Sequence, residues 1–142
     1  MNLQLLQIMM VNLHCCNPLV HSLLQTCKAD IIFIQEPWAG KVQTVCSDSN
    51  PLGINISGTV NNNMWHPFLP KAFATDTCKV VAYIREQLLS SLTVTNLLDH
   101  PLASPSCLVL DVSFETDHFQ VICLYHVVPK KGHALSSLFS HP

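Results

Sequence analysis

Apolar and polar positions along this chain switch between a helical and a strand period, and the switches mark out most of its elements. Leu3 to Asn12 is apolar enough for a first strand and ends in polar Asn12 and His14. Asn17-Pro18 then offers a helix start, with Asn17 as cap and Pro18 at the first helical position. Leu19, Leu23, Leu24 and Cys27 recur at helical spacing, which predicts a short amphipathic helix over Pro18–Lys28. Ile31-Ile-Phe-Ile34 is an unbroken apolar run rich in β-branched residues, as expected of a strand buried on both faces. Strand, helix and strand in so short a span make a βαβ unit whose two strands belong to one sheet.

The pattern is lost between Pro37 and Thr77, where Pro51, Pro67, Pro70, Gly40, Gly53, Gly58 and Asn61-Asn-Asn63 break every candidate element. A structureless stretch of that length is unusual in a compact domain, so a short strand or helical turn is expected within a variable loop at about 37–78. Trp65, Phe68 and Phe73 are the residues expected to pin it to the core. Strand signals return at Lys79–Arg85 and Leu92–Asn96. Leu108, Leu110, Val112 and Phe114 then alternate with Val109, Asp111 and Ser113, while Phe119, Val121, Cys123 and Tyr125 share one face of a further strand. Glu115-Thr-Asp117 between them suits a hairpin turn. Gly132–Phe139 reads as the start of a helix.

Composition narrows the class. The chain has 142 residues, fitting one domain or a piece of a larger one, and 49% are hydrophobic against 11% charged. So few charges imply unusually complete burial or apolar surface intended for further elements. A net charge of −2 with scattered lysines argues against a binder that depends on phosphate neutralisation, though not against an enzyme that engages one phosphodiester through a metal. Lys130-Lys131 is the adjacent basic pair and reads as a solvated turn. The seven cysteines are odd in number and several lie in apolar runs, which predicts reduced thiols in an intracellular protein. No run reaches the roughly 18 apolar residues of a spanning helix, and no secretory leader is evident, so no membrane partner is expected.

The candidate chemistry lies at strand ends. Asn12 closes the first strand, Glu36 the second before Pro37 stops it, and Tyr125-His126 the last. An α/β scaffold gathers a site from distant sequence in this way. Asn and Glu provide oxygen ligands, which suit Mg²⁺, and that ion keeps several waters and needs few protein ligands. Taken alone, Glu36 also fits a solvated strand-end carboxylate, Asn12 a turn residue and Tyr125 a half-buried aromatic. His14-Cys15-Cys16 with His21 lacks the spacing of a zinc knuckle, so no zinc site is expected.

Five segments, in order, carry a family resemblance: Leu6-Gln-Ile-Met-Met-Val-Asn-Leu13, Ala29-Asp-Ile-Ile-Phe-Ile-Gln-Glu-Pro-Trp38, Val80-Val-Ala-Tyr-Ile-Arg85, Leu108-Val-Leu-Asp-Val112 and Val121-Ile-Cys-Leu-Tyr125. In them the chain resembles the N-terminal part of an endonuclease/exonuclease/phosphatase domain of fungal non-LTR (LINE-like) retrotransposons, and the Gln-Glu-Pro-Trp block is the specific one. The resemblance implies a partial four-layer α/β sandwich (DNase I-like) across residues 1–142, with the second half missing. It implies Mg²⁺-dependent phosphodiester hydrolysis, with DNA as substrate and a nuclear location. On it, Asn12, Glu36 and Tyr125 are the catalytic residues: Glu36 the principal Mg²⁺ ligand, Asn12 a second ligand or an orienter of metal or phosphate, and Tyr125 a phosphate contact. Further implied partners are the missing C-terminal half of the domain and a reverse transcriptase domain.

The departures from the family pattern have consequences. His14 stands where another Asn or an Asp is usual, and His126 where Asn is usual. The family's Gly-Asp-x-Asn and Ser-Asp-His segments do not occur in the sequence, so a truncated chain, inactive by itself and with exposed strand edges, is expected. The rival expectation is a non-catalytic α/β interaction module or a decayed retrotransposon remnant.

Overall fold

A computed structural model describes residues 6–125 of the chain. Its elements are β1 (Ile8–Asn12), α1 (Asn17–Thr26), β2 (Ile31–Gln35), β3 (Ala39–Val45), β4 (Ile54–Thr59), β5 (Trp65–Phe68), β6 (Val80–Arg85), β7 (Thr93–Asn96), β8 (Cys107–Phe114) and β9 (Asp117–Leu124), with a 3-10 turn at Glu86–Ser90. The helix expected at Gly132–Phe139, His126 and the Lys130-Lys131 pair lie outside the described residues.

β1 and β2 pair in parallel, as a βαβ unit requires, with Asn12 opposite Gln35. The first sheet runs β1-β2-β6-β5, and the second runs β7-β8-β9 with antiparallel neighbours throughout. The central strands β2 and β6 are buried on both faces, so their side chains build two cores. Ile32, Ile34, Val81 and Tyr83 face α1 through Val20 and Leu24. Ile31, Phe33, Val80, Ala82 and Ile84 face the second sheet through Leu108, Leu110, Val112 and Cys123. The result is three stacked layers: helix, sheet, sheet.

Two local expectations need correction. Cys16, not Asn17, occupies the cap position of α1, and no side chain caps the helix. The buried stripe is Val20 and Leu24 with Leu23 and Cys27 beside it, while Leu19 is exposed, since it lies about 100° around the helix from Val20. With no cation in its last turn, α1 is closed by groups from the sheet. Trp65 Nε1 donates to the Leu24 carbonyl at 2.8 Å, and the Arg85 guanidinium donates to the carbonyls of Ala29, at 2.9 Å, and Cys27. That guanidinium also stacks 4.4 Å from the Trp65 ring centroid.

The 37–78 stretch is more regular than its glycines and prolines suggest. It holds a long antiparallel hairpin, β3–β4, and the edge strand β5. Pro67 is tolerated in β5 because that strand has a neighbour on one side only. Trp65 is buried, and Phe68 and Phe73 pack against the two cores, so the three expected pins hold. The hairpin is fastened to the first core by a buried polar contact: Tyr83 donates to the Val60 carbonyl at 2.8 Å and meets Thr59 Oγ1 at 2.8 Å.

Among the described residues, each sheet has edge strands with a neighbour on one side only. β1 and β9 are edge strands of their sheets, and Ile8, Met10, Ile122 and Leu124 on them are 48%, 58%, 45% and 58% exposed. They account for part of the low charge content.

Candidate metal centre at the strand ends

The three strand-end residues singled out in the sequence come to one end of the sandwich. Parallel register puts Asn12 beside Gln35, so the residue after β2, Glu36, reaches the Asn12 side chain. Asn12 Nδ2 donates to Glu36 Oε2, and Asn12 Oδ1 accepts from the His14 amide at 3.0 Å. Both ends of the Asn12 amide are thus used, and the direction of each bond fixes how the carboxylate is turned. In this arrangement Asn12 orients Glu36, and the second carboxylate oxygen is left for another partner.

Backbone contacts lock the two loops together. Leu13 N donates to the Gln35 carbonyl at 3.1 Å, Cys15 N to the Glu36 carbonyl at 2.7 Å, and Glu36 N to the Lys79 carbonyl at 3.0 Å. Within this crossing, His14, Cys15 and Glu36 all take left-handed φ values, of 52°, 60° and 50°. Such a conformation costs a non-glycine residue about 1–2 kcal/mol. Trp38 follows at once, and its indole lies so close to Gly40 that a Cβ there would sit 2.7 Å from Trp38 Cζ2.

Tyr125 comes to the same end by a different route. Gln35 Nε2 donates to the Leu124 carbonyl at 3.2 Å, which ties the end of β2 to the end of β9. Tyr125 N donates to Ser106 O at 2.8 Å, and Lys79 N to Pro105 O at 3.0 Å, so the loop before β8 joins Tyr125 to the strand that holds Glu36 N. The Tyr125 ring is half-buried against the inter-sheet core.

Two contributors were not assigned a role from sequence. His14, noted there as a departure from a pattern, faces the site, with Nδ1 3.8 Å from Glu36 Oε2. Its place two residues beyond Asn12 was the available signal. Gln35 acts as a tie between sheets, which only the packing of β2 over β9 reveals. Among the described residues there is no cluster of three or more His, Cys, Asp or Glu able to hold a metal. The donor set is therefore one carboxylate with an amide and an imidazole near it. A carboxylate and an amide are oxygen donors of the kind accepted by a hard ion that keeps most of its waters. A separate concavity of about 510 Å³ at Thr95–His100 belongs to the loop after β7, on the edge of the second sheet away from β9.

The fold is a DNase I-like α/β sandwich. Among solved structures, the chain is similar to the endonuclease domain of TRAS1, a telomere-specific non-LTR retrotransposon, with a TM-score of 0.57 and 14% identity. The match covers 94% of this chain and 50% of the other, so the chain spans about half the length of that neighbour. No family model and no curated protein matches the chain. Among the described residues no helix is long and apolar enough to cross a membrane.

Proposed function

We propose that this chain is part of a Mg²⁺-dependent DNA endonuclease domain, holding the carboxylate half of the active site. The observation that carries the reading is the Asn12–Glu36 bond at the ends of two parallel strands in a DNase I-like sandwich. Glu36 is the metal ligand, Asn12 sets its orientation, and Tyr125 contacts the scissile phosphate. A bound Mg²⁺ would supply Lewis-acid stabilisation of charge on phosphoryl oxygens. What this chain's own residues do is hold that carboxylate fixed, by one side-chain bond and a strained, cross-linked backbone.

The sequence lacks Gly-Asp-x-Asn and Ser-Asp-His segments, which in the resembled family position water and clamp phosphate. We therefore expect the 142-residue chain to bind Mg²⁺ through Glu36 but not to nick DNA. Calorimetric titration with Mg²⁺, beside a supercoiled-plasmid nicking assay, tests both parts. Binding that Glu36→Gln leaves intact would refute the metal-site reading. Nicking that Glu36→Gln abolishes would show that the catalytic set is complete within this chain.

A second reading, a non-catalytic interaction module, is favoured by the exposed apolar residues on β1 and β9. It requires no Glu36-dependent metal binding, so the same titration separates the two.

A further inference from the structure

The β3–β4 hairpin carries more exposed apolar surface than a connection between strands requires. It makes a two-stranded sheet of its own, held at its base by Thr59 against Tyr83 and Trp38. Beyond that base it projects, and Gln43–Val45 and Ile54–Ser57 are all exposed. Register sorts these residues onto two faces. Val45 lies opposite Ile54 and Gln43 opposite Ile56, so these four share one face. The other face holds Thr44, which donates to Asn55 Oδ1 at 3.2 Å, and Lys41 opposite Ser57. The turn adds Leu52. Ser47 and Asn50 exchange backbone bonds of 3.1 Å, and Gly53 N donates to Asn50 O at 2.9 Å. This fixed turn holds Leu52 out at 97% exposure, with Ile54 at 54%.

Such a face suits an apolar partner, and its chemistry narrows the choice. Between Ala39 and Thr59 the chain has two charged residues, Lys41 on the opposite face and Asp48 in the turn. A nucleic-acid contact needs cations aimed at phosphates. A membrane-surface contact uses Lys, Arg and aromatic residues, which this face lacks. A second copy presents the same neutral, apolar face, and two ribbons of equal twist pack with their strands nearly aligned. Val45, Leu52, Ile54 and Ile56 leave on the order of 300 Å² of apolar side-chain surface exposed. In an interface about 60% apolar, that corresponds to about 500 Å² per copy and about 1,000 Å² for the pair. This is the threshold of specific association, and it sets a weak, reversible dimer.

We propose that the β3–β4 hairpin is a self-association surface, on which a second copy of this chain packs the Val45–Ile54–Ile56 face of its own hairpin across a two-fold axis. The contact does not use the Asn12–Glu36 crossing, so it is independent of the metal-site reading.

The test is sedimentation velocity of the full 142-residue chain, from about 5 to about 500 µM, with a reductant that keeps exposed Cys15 and Cys46 from cross-linking copies. The expected result is a monomer–dimer equilibrium with a Kd on the order of 100 µM. Ile54→Lys and Ile54→Glu, each checked for folding by a circular dichroism melt, should each weaken the dimer at least about tenfold. An equimolar mixture of the two should recover it, since opposite charges then meet across the axis. Ile56→Thr, which keeps a β-branched side chain, should weaken the dimer in the same direction. Ile122→Thr, at an exposed position on β9, should leave the equilibrium unchanged. A parent chain that stays monomeric at about 500 µM would refute the proposal. So would a dimer that Ile54→Lys and Ile56→Thr leave intact, or one that Ile122→Thr disrupts. The proposal also fails if the chain is monomeric yet binds duplex DNA or phosphatidylcholine vesicles in a way that Ile54→Glu abolishes, because the face then takes another occupant.

Discussion

Replacing Tyr83 by phenylalanine removes one oxygen from a contact that joins the β3–β4 hairpin to the central sheet. In the parent chain the Tyr83 hydroxyl donates to Val60 O at 2.8 Å and lies 2.8 Å from Thr59 Oγ1, which donates to Trp38 O at 3.0 Å. Two hydroxyl protons serve three contacts, so Thr59 divides its proton between Tyr83 and Trp38. In Tyr83→Phe, Thr59 keeps Trp38, but the Val60 carbonyl loses its donor. Tyr83, Thr59 and Val60 are all within 2% of full burial, so water cannot readily replace the lost donor. An unsatisfied buried carbonyl costs about 1–3 kcal/mol, and about 2 kcal/mol is expected here. With a urea dependence of about 2 kcal/mol per molar, the unfolding midpoint should fall by about 1 M.

A second readout isolates the hydroxyl. Burial pushes the Tyr83 pKa from 10 up to about 12, with Thr59 partly opposing this and Cys78 adding to it. A raised folded-state pKa means that the neutral form is favoured in the native chain. Its contribution is complete below pH 10 and is lost as the pH climbs towards about 12, while the unfolded chain ionises first. The phenylalanine variant has no such dependence. The gap between the two chains should therefore shrink between pH 10 and 12. A midpoint unchanged within about 0.2 M urea, or a gap that stays constant over that alkaline window, would refute the reasoning.

Arg85→Lys keeps the charge but loses the planar fork that reaches the Ala29 and Cys27 carbonyls and stacks on Trp65. A loss of about 2 kcal/mol is expected in chemical denaturation, and a lysine variant as stable as the parent would exclude the clamp. Thiol labelling at pH 8 should divide the cysteines. Exposed Cys15 and Cys46, and the partly exposed Cys16 and Cys27, should react first, while buried Cys78, Cys107 and Cys123 wait for unfolding. Burial lifts the Cys78 and Cys123 thiols to about 11, leaving about a thousandth of each as thiolate at that pH. Mass-spectrometric labelling of Cys78 as fast as Cys46 would contradict the buried core.

The parts of the fold legible in the sequence were those with one dominant period. Ile31–Ile34 reads as a doubly buried strand because both of its faces meet core, and the helix before it forces a parallel neighbour. Glu36 at the end of that strand followed directly. The β3–β4 hairpin was not legible, because its alternating residues are interrupted by Gly40, Gly53 and Gly58. Gly53, at a φ of 90°, is there for the turn geometry, and it reads as a breaker when seen only as a letter. Strand order was hidden for another reason. β6 inserts beside β2 from almost fifty residues away, and nothing local in Val80–Arg85 names its neighbour. The Asn12–Glu36 contact spans 24 residues and depends on that sheet, so the sequence identified its two members but not their bond.

The backbone at the site bears on the choice between a metal centre and a bare interaction module. A module that needed only its core would be served at position 36 by glycine, or by asparagine, either of which takes a φ of 50° at lower cost than glutamate. The same holds at His14 and Cys15. Left-handed residues also occur at Ala72 and Glu115, so strain alone is not special to this place. What distinguishes the site is that three strained residues are cross-linked to one another, by Cys15 N to Glu36 O and by Asn12 to both Glu36 and His14. A carboxylate and an imidazole thus stand side by side at a cross-linked crossing where a bare turn would accept smaller residues.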